Sequence, residues 1–237
     1  MQEIAVSLLV FNEEESLDKT LSEGYNILQS LDLDFNLWIF DNCSTDSTRE
    51  IVEKFSINKN EIKYFKQPKN VGYGLNSISA MKIPDAKFIF VLDGDGQYNF
   101  KDIPRCLSTM KDGNDVVFGW RKNREDRELR KITTKIFNFL AKKIIKSKIN
   151  DVNCGFRAFN KNAANLINSS FKYNYIGPEI YVEAINKRLK LAEIEIDHFK
   201  RNSGKSYFDG IYSIMFNAVI MIKYLIKLRK KYLINKI

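Results

Sequence analysis

The stretch Phe88-Ile89-Phe90-Val91-Leu92-Asp93-Gly94-Asp95-Gly96-Gln97 decides the fold, because an uninterrupted apolar run ends there in two carboxylates and an amide. A short apolar run of this kind is typical of a strand that is buried on both faces of a parallel sheet. Open α/β sheets bind their ligands in the crevice beyond the carboxyl ends of such strands. The stretch therefore predicts an α/β domain whose functional edge begins just after Leu92.

Asp93, Asp95 and Gln97 supply oxygen ligands, and the glycines between them allow a tight turn that brings the three side chains together. Three oxygen ligands suit a hard divalent cation, which normally completes its shell with water and substrate phosphates. The alternative is a polar turn whose acids only face water. The stretch alone does not decide between these interpretations, so the rest of the chain has to.

Apolar runs alternate with segments of helical periodicity along the first part of the chain. We predict strands at residues 4–11, 35–40, 62–65, 88–92, 116–118 and 191–196, with helices between them. Strands that alternate with helices predict a mostly parallel central sheet flanked by helices. No Gly-x-Gly-x-x-Gly follows the first strand and no Gly-Lys-Ser/Thr loop is present, which argues against a Rossmann dehydrogenase and a P-loop NTPase.

The charge of the chain is distributed unevenly. The 237 residues carry a formal net charge of +9, but residues 121–150 and 199–237 each carry a surplus of eight positive charges, so the other residues sum to −7. Local basic segments indicate a local anionic partner, such as phosphate, anionic lipid or nucleic acid. The aromatic residues lie mostly in apolar runs and not between the cations, which argues against a stacking platform for nucleic acid.

Cysteine and histidine usage narrows the chemistry and the compartment. Cys43, Cys106 and Cys154 are widely spaced and form no Cys-x-x-Cys, which indicates free thiols in a reducing cytoplasm and argues against a zinc site. His198 is the only histidine, which excludes a mechanism that needs two. We find no signal-peptide pattern, and the longest apolar run, residues 214–222, is shorter than the roughly 20 residues that span a bilayer.

Two basic segments also carry apolar faces. Residues 131–148 are a predicted helix with an apolar side and lysines on its other faces, and residues 213–237 have a similar arrangement. Such a helix either lies on an anionic membrane surface or packs on the domain. For the tail we favour the membrane. We therefore divide the chain into a globular domain, residues 1–210, and a C-terminal basic amphipathic helix, residues 211–237.

Several short sequence blocks follow one another in the same order as in family 2 glycosyltransferases. In this the chain resembles that family, and in particular the dolichyl- and polyprenyl-phosphate sugar synthases. The blocks are Asn12-Glu13, Asp41-Asn42-Cys43-Ser44-Thr45-Asp46, Asn70-x-Gly72-Tyr73-Gly74, Asp93-x-Asp95-x-Gln97, Gly119-x-Arg121, Gly155-Phe156-Arg157 and Arg201-x-x-Gly204-x-Ser206. One block would be weak evidence, whereas the ordered set is specific. The resemblance runs from Ala5 to about Ser206. It implies a GT-A fold and an inverting, metal-dependent transfer of sugar from a nucleotide sugar.

The resemblance also implies roles for individual residues. The nucleotide sugar would be bound by Leu9, Phe11, Glu13, Asp41, Asn42, Gly72, Asp93, Gly94, Asp95, Arg201 and Lys205. Mg²⁺ or Mn²⁺ would be held by Asp93, Asp95 and Gln97. The acceptor phosphate would contact Arg121, Arg130, Thr134 and Arg157, and the catalytic residues would be Asp93, Asp95 and Arg121. One departure is that Asn42-Cys43 replaces the family's usual Asp-Gly.

The type of acceptor follows from whether a general base is needed. Transfer to a sugar hydroxyl needs a base, and family members of that sort usually carry a Glu-Asp pair late in the domain. The corresponding residues 177–183 contain no adjacent acid pair, although Glu179 or Glu183 could still serve as the base. A phosphate acceptor is already ionised at neutral pH and needs no base. We therefore expect a dolichyl or undecaprenyl phosphate as the acceptor.

The sequence thus predicts a glycosyltransferase peripheral to the cytoplasmic face of a membrane, with no nucleic-acid partner. The nearest rival is transfer to a saccharide hydroxyl during capsule, lipopolysaccharide or exopolysaccharide assembly. A more distant rival is a non-catalytic module that binds anionic lipid or nucleic acid, which explains the basic segments but not Asp93, Asp95 and Gln97. The identity of the sugar, the nucleobase and the oligomeric state stay open.

Overall fold

The structure is a computed structural model that describes residues 1–123, 125, 128–167, 176–200, 220 and 222–230, and of residues 128–130 only the backbone. Strands and helices alternate along it as the hydropathy pattern predicts. In chain order the elements are β1 (Gln2–Val10), α1 (Leu17–Gln29), β2 (Phe35–Asp41), α2 (Thr48–Phe55), β3 (Ile62–Lys66), α3 (Tyr73–Lys82), β4 (Ala86–Asp93), α4 (Asp102–Lys111), β5 (Val116–Trp120), α5 (Glu128–Ile144), β6 (Arg157–Asn160), α6 (Lys161–Leu166), α7 (Ile176–Asn186) and β7 (Leu191–Glu195).

All seven strands of the described residues form one sheet in the order β3-β2-β1-β4-β6-β5-β7. Strands β1 to β4 are mutually parallel, and β7 is parallel to β5. Strand β6 is antiparallel to both of its neighbours, β4 and β5. The prediction of a mostly parallel sheet flanked by helices is therefore confirmed.

The alternation of side chains along the strands divides the core into two apolar clusters, one on each face of the sheet. On β1, Ile4, Val6 and Leu8 belong to the cluster that contains the apolar residues of α1 and α4. Ala5 and Leu9 belong to the opposite cluster, which contains the apolar residues of α5 and α7. Both faces of the central strands are covered, which is why their sequences read as continuous apolar runs.

Two elements and several boundaries differ from the sequence prediction. Strand β6 and helix α6 are short and carry no strong periodic pattern, so the hydropathy pattern did not indicate them. Helix α5 was predicted at residues 131–148 but ends at Ile144, and Lys146 adopts a left-handed backbone with φ of 55°. A left-handed residue stops a helix even where the apolar spacing continues.

The described part of the C-terminal segment is a helix that packs on the domain. Residues 222–230 are helical, and Tyr224, Leu225 and Leu228 are buried in the same cluster as α5 and α7. Lys223 and Lys227 are exposed. This packing is the alternative that the sequence left beside membrane contact, while the boundary at residue 210 stays a prediction. Among the described residues, no helix is both long enough and apolar enough to cross a bilayer.

Candidate functional site

The ends of β1, β2 and β4 lie level with one another at the carboxyl edge of the sheet. Leu9 pairs with Phe40 of β2 on one side and with Asp93 of β4 on the other. The backbone of Gly94 donates a 2.8 Å hydrogen bond to the Leu9 carbonyl. A Cβ at Gly94 would lie 2.5 Å from the Val10 side chain, so only glycine allows this close approach. We call residues 93–97 the acidic turn. Leu9 and Gly94 thus fix the backbone of the acidic turn, and their contact with a nucleotide sugar stays a prediction.

The Asp93 carboxylate is held from two sides. The Tyr73 hydroxyl donates a 2.8 Å hydrogen bond to Asp93 Oδ1. A Cβ at Gly155 would lie 2.2 Å from Asp93 Oδ2, so the other oxygen lies directly against the backbone of that glycine. Burial raises the pKa of Tyr73 and the neighbouring Asp93 raises it further, so the hydroxyl stays protonated and donates. The carboxylate is therefore oriented before any ligand binds.

Gln97 links the acidic turn to a distant part of the chain. Its backbone N–H donates to Asp95 Oδ1 at 3.2 Å, and its side-chain Nε2 donates to the Phe199 carbonyl at 3.0 Å. The Phe199 N–H in turn donates to the Gln97 carbonyl at 2.9 Å. The amide nitrogen is thus occupied, and the amide oxygen is the atom that suits a cation. Arg201 and Lys205, which we predict to bind the nucleotide sugar, follow Phe199 but lie outside the described residues.

The acidic turn fits a cation that is only partly coordinated by protein. Asp93 and Asp95 are both partly exposed, and with the Gln97 amide they offer only hard oxygen donors. Within the described residues, no group of three His, Cys, Asp or Glu side chains is arranged to hold a metal ion. Mg²⁺ and Mn²⁺ commonly take one or two carboxylates from protein and the remaining ligands from phosphates and water. The donor set therefore fits Mg²⁺ or Mn²⁺ bound together with a substrate phosphate.

Asp41 lies beneath the turn that follows β2. It is fully buried, and its Oδ1 accepts hydrogen bonds from the Ser44 N–H at 2.8 Å and the Ser44 hydroxyl at 2.6 Å. The Tyr64 hydroxyl donates to Asp41 Oδ2 at 2.6 Å. Both oxygens are thus used within the protein. Asp41 organises the turn, and its direct contact with a nucleoside stays a prediction.

Asn42 joins the turns after β2 and β3. Its Nδ2 donates to Asn70 Oδ1 at 2.9 Å, and its Oδ1 accepts from the Val71 N–H at 2.9 Å. Asn70 Oδ1 also accepts from the N–H of Gly72, whose φ of 83° is a conformation that glycine adopts readily. The structure therefore brings the predicted ligands Asn42 and Gly72 into one polar loop pair beside the acidic turn.

Phe11 and Glu13 lie where β1 enters the loop before α1. Phe11 is an exposed aromatic ring at the rim, and Glu13 accepts a 3.2 Å hydrogen bond from the Ser16 hydroxyl. Between them, Asn12 has a φ of 55°, and its Oδ1 accepts from the Thr45 N–H at 2.9 Å. This contact fixes the β1 loop to the turn after β2, so that Phe11 stands beside the acidic edge.

Arg121 forms a nearly buried ion pair with Asp151. Arg121 Nε lies 2.6 Å from Asp151 Oδ2 and Nη2 lies 3.1 Å from Oδ1, with side chains only 8% and 4% exposed. Burial lowers the pKa of Arg121, but Asp151 more than compensates, so the pKa lies above its usual value. Asn138 of α5 also donates to Asp151, at 3.3 Å. Arg121 is thus charged and held in a fixed orientation.

Sequence reasoning missed Asp151 and its support, Glu193. Glu193 accepts hydrogen bonds from the N–H groups of Asn150 at 2.7 Å and Asp151 at 3.0 Å. Burial raises the pKa of Glu193. Asp151 stands just before the Gly155-Phe156-Arg157 block, which was a signal, but Glu193 lies on β7 and only the fold brings it here.

An open cavity of about 760 Å³ lies between the end of β5, the helix α5 and the turn at residues 150–151. Thr134 and Arg121 both line it, so the structure brings together two of the predicted acceptor residues. Among the described residues, its charged lining consists of the cations Arg121, Lys122, Lys131, Lys135 and Lys142 and the carboxylates of Glu125 and Asp151. For Arg130, in the first turn of α5, the structure describes only the backbone, so its predicted contact with the acceptor phosphate stays a prediction.

Arg157 does not join Arg121 and Thr134 in this cavity. It is 1% exposed, opposite Val91 of β4 and Phe118 of β5, and among the described residues no hydrogen-bond partner is found for its Nε and Nη2. Its charge lowers the pKa of Tyr73, against the larger effects of burial and Asp93, so it lies near the Tyr73 hydroxyl. The structure thus puts Arg157 beneath the acidic turn, and any contact with an acceptor phosphate stays a prediction.

Comparison with known proteins identifies the family. Residues 6–167 match the family model described as glycosyl transferase family 2. The chain belongs to this family. The resemblance read from the ordered blocks is therefore confirmed, and the acidic turn, the loop pair and β6 all fall within the part that defines family 2.

Two bacterial proteins are similar along most of the chain. The undecaprenyl-phosphate 4-deoxy-4-formamido-L-arabinose transferase of Proteus mirabilis is 26% identical over 88% of this chain. The protein of the same name from Salmonella choleraesuis is 25% identical over 92% of this chain. The chain spans 63% of the length of the Proteus relative and 67% of the Salmonella relative.

Solved structures share the fold. Glucosyl-3-phosphoglycerate synthase from Mycobacterium tuberculosis, in complex with phosphoglyceric acid, superposes with a TM-score of 0.69 over 96% of this chain and 78% of that one, at 16% identity. The same synthase in complex with Mn²⁺, uridine diphosphate and phosphoglyceric acid gives a TM-score of 0.69 over 96% of this chain and 77% of that one, at 13% identity. The GT-A fold predicted for this family 2 chain is therefore confirmed.

Proposed function

We propose that this chain is an inverting, metal-dependent glycosyltransferase that moves a sugar from a nucleotide diphosphate sugar to a polyprenyl phosphate, such as undecaprenyl or dolichyl phosphate. The observation that carries the proposal is the cation-lined cavity beside the acidic turn. Two anionic groups must meet in this reaction, a donor diphosphate and an acceptor phosphate, and the chain offers a separate place for each. The names of the two bacterial relatives support undecaprenyl phosphate as the acceptor.

The charge of the cavity favours a phosphate acceptor. Among the described residues, five cationic side chains line it against two carboxylates, and the ion pair between Arg121 and Asp151 leaves four cations against one carboxylate. Charge-assisted hydrogen bonds from cations and a hydroxyl such as that of Thr134 are the contacts that phosphate oxygens prefer. Arg121, held by Asp151, would orient the phosphate, while the more exposed Lys135 and Lys142 would neutralise its charge.

The placement of the carboxylates disfavours the rival acceptor, a saccharide hydroxyl. Glu179 and Glu183, the bases that the rival needs, are buried in α7 and do not line the cavity. Asp151 does line it, but its oxygens are bonded to Arg121. A phosphate oxygen needs no such base, because it is already ionised and can attack directly.

The donor would bind at the acidic turn. Asp93, Asp95 and Gln97 would hold Mg²⁺ or Mn²⁺ there, and such an ion, when bound, neutralises the negative charge of the diphosphate leaving group. The acceptor phosphate oxygen forms the new bond to the anomeric carbon while the bond to the diphosphate oxygen breaks. The bonding electron pair leaves with the nucleoside diphosphate. A single displacement of this kind inverts the configuration at the anomeric carbon.

An apolar stripe on α5 supports contact with a membrane. Ile132, Ile136 and Phe139 are 52%, 54% and 59% exposed, and their spacing puts them on one face of the helix. Phe139 also lines the cavity, so the stripe leads away from the proposed phosphate site. Flanking lysines such as Lys143 would be attracted to anionic lipid. The stripe would therefore hold the chain peripherally on the cytoplasmic membrane face, where the acceptor lipid is found.

A donor-release screen tests the proposed reaction. Purified protein would be incubated with Mg²⁺ or Mn²⁺ and a panel of UDP-, GDP-, CDP- and dTDP-sugars, with and without undecaprenyl phosphate in detergent. We expect nucleoside diphosphate release from one donor only when both metal and lipid phosphate are present. Release that needs a saccharide, or that ignores the lipid, would contradict the phosphate acceptor, and release without metal would contradict the proposed metal dependence.

A vesicle-binding assay tests the membrane contact. The triple variant Ile132→Ser, Ile136→Ser, Phe139→Ser removes the stripe, and Ile57→Ser removes an equally exposed apolar residue elsewhere. On vesicles of phosphatidylcholine with phosphatidylglycerol, we expect the triple variant to lose sedimentation with lipid and Ile57→Ser to retain it. Equal sedimentation of both variants would contradict the role of the stripe.

A further inference from the structure

Two tyrosine–carboxylate hydrogen bonds lie at the carboxyl edge of the sheet, one at the end of β2 and one at the end of β4. Tyr73 donates to Asp93 at 2.8 Å, and Tyr64 donates to Asp41 at 2.6 Å. Their settings differ, because Asp41 is fully buried and also bound by Ser44, whereas Asp93 is partly exposed. The Tyr73 hydroxyl therefore binds a carboxylate that is a candidate metal ligand, whereas the Tyr64 hydroxyl binds a carboxylate that stabilises a buried turn.

Asp93 depends on Tyr73 more than Asp41 depends on Tyr64. Three hydrogen bonds fix the Asp41 carboxylate, two of them from Ser44, so loss of the Tyr64 hydroxyl leaves two. Among the described residues, the Tyr73 hydroxyl donates the one hydrogen bond that reaches the Asp93 carboxylate. Its other restraint is steric, from the bare backbone of Gly155 against Oδ2. Without the Tyr73 hydroxyl, the steric contact with Gly155 is left to resist rotation of the carboxylate about its Cβ–Cγ bond.

We propose that Tyr73 is a positioning residue that orients the Asp93 carboxylate for a divalent cation, and that Gly155 provides the space in which this orientation is possible. The inference rests on the proposed function, since it concerns the cation that Asp93, Asp95 and Gln97 would hold. Carboxylates that ligate metals are commonly oriented by such outer hydrogen bonds, and loss of one typically weakens metal binding by about 10–100-fold.

The location of Tyr73 suits this role. It is the first residue of α3 and follows Gly72, whose positive φ turns the chain toward the end of β4. Its ring packs against the core cluster that contains the apolar residues of α5 and α7, while only its hydroxyl reaches Asp93. Replacement by phenylalanine therefore removes the donor and leaves the packing of the ring in place.

The test compares two deletions of one hydroxyl each, Tyr73→Phe and Tyr64→Phe. Mn²⁺ binding would be measured by the electron paramagnetic resonance signal of the free ion, with Mn²⁺ alone and with Mn²⁺ plus uridine diphosphate. We expect Tyr73→Phe to weaken Mn²⁺ binding by about 10–100-fold and Tyr64→Phe to leave it unchanged. Gly155→Ala, which crowds the other oxygen, should weaken Mn²⁺ binding as Tyr73→Phe does.

A kinetic comparison separates positioning from a purely structural effect. In Tyr73→Phe, turnover should fall at low Mn²⁺ and recover as Mn²⁺ is raised, whereas a structural defect would not be rescued by metal. Equal Mn²⁺ affinity in the unaltered chain and in Tyr73→Phe would overturn this inference alone. Absence of Mn²⁺ binding by the unaltered chain would overturn the proposed metal dependence and this inference with it.

Discussion

The acidic turn and the cation-lined cavity hold their charges in different ways. At the acidic turn, Asp93 and Asp95 are partly exposed, and their carboxylates accept hydrogen bonds from the Tyr73 hydroxyl and the Gln97 N–H. In the cavity, Arg121 and Asp151 are nearly buried and neutralise each other. The difference indicates that hydrogen bonds orient the partly exposed carboxylates of the turn, while the cavity uses one ion pair to fix its geometry and exposed lysines to supply positive charge.

The largest expected effect is on the buried pair. Asp151→Ala leaves Arg121 charged in a buried site, and removal of one partner of a buried pair typically costs about 3–5 kcal/mol in the free energy of unfolding. Urea denaturation would measure the loss. The matched control is Lys122→Ala, which breaks the exposed pair with Glu195 and should cost less than about 1 kcal/mol. Equal losses in the two variants would contradict the structural role of the Arg121–Asp151 pair.

Loss of a carboxylate at the acidic turn should lower the activity and leave the stability unchanged. Asp95→Asn keeps the size of the side chain and its acceptor for the Gln97 N–H but removes the charge. We expect turnover to fall at least about 100-fold because metal binding is impaired, with an unchanged melting temperature. Asp112→Asn is the control, since Asp112 is exposed at the end of α4, at the opposite edge of the sheet. Turnover of Asp95→Asn close to that of the control would contradict the metal site.

A smaller effect is expected from the exposed cations of the cavity. Lys135→Ala removes one of them and should raise the KM for the lipid phosphate by roughly 2–5-fold, which is the scale of a single solvent-exposed charge. The KM for the nucleotide sugar should not change. Lys187→Ala, an exposed lysine outside the cavity, serves as the control. An increase in the donor KM instead would assign the cavity to the donor.

The smallest effect concerns the backbone of the turn after β2. Cys43 adopts a φ of 67°, a left-handed conformation that costs an L-residue about 1–2 kcal/mol. Glycine loses about 0.5–1 kcal/mol more entropy on folding, so Cys43→Gly should raise the free energy of unfolding by about 0.5–1 kcal/mol. Asn12→Gly should not, because it removes the hydrogen bond to Thr45. Chemical denaturation of both variants would decide this.

The meeting of the side chains at the acidic turn could be predicted from sequence because these residues are close in the chain. Asp93, Asp95 and Gln97 follow one strand, and parallel strands carry such turns to one edge. Asn42-Cys43 stands where the family usually has Asp-Gly, and the left-handed backbone at Cys43 explains why glycine is usual there. Local pattern and fold rule together were sufficient to place these residues at one edge of the sheet, while their role in binding the nucleotide sugar stays a prediction.

The cavity could not be predicted in the same way because its contacts join distant segments. Asp151 lies 30 residues after its partner Arg121. Glu193 supports the turn at Asp151 from β7, and no local periodicity relates the two. Strand β6 was missed because four residues beginning with arginine show no apolar run, although their pairing with β4 buries Arg157 beneath the acidic turn. Tertiary pairing, not propensity, determines these features.

The most direct test of the account is a comparison of undecaprenyl phosphate with undecaprenol as acceptors, using the nucleotide sugar that the release screen identifies. The two lipids share the same chain and differ only in the phosphate. We expect a glycosyl-phosphate lipid with inverted anomeric configuration to form from the phosphate and no glycolipid to form from the alcohol. Comparable transfer to both lipids, or retention of configuration, would contradict it.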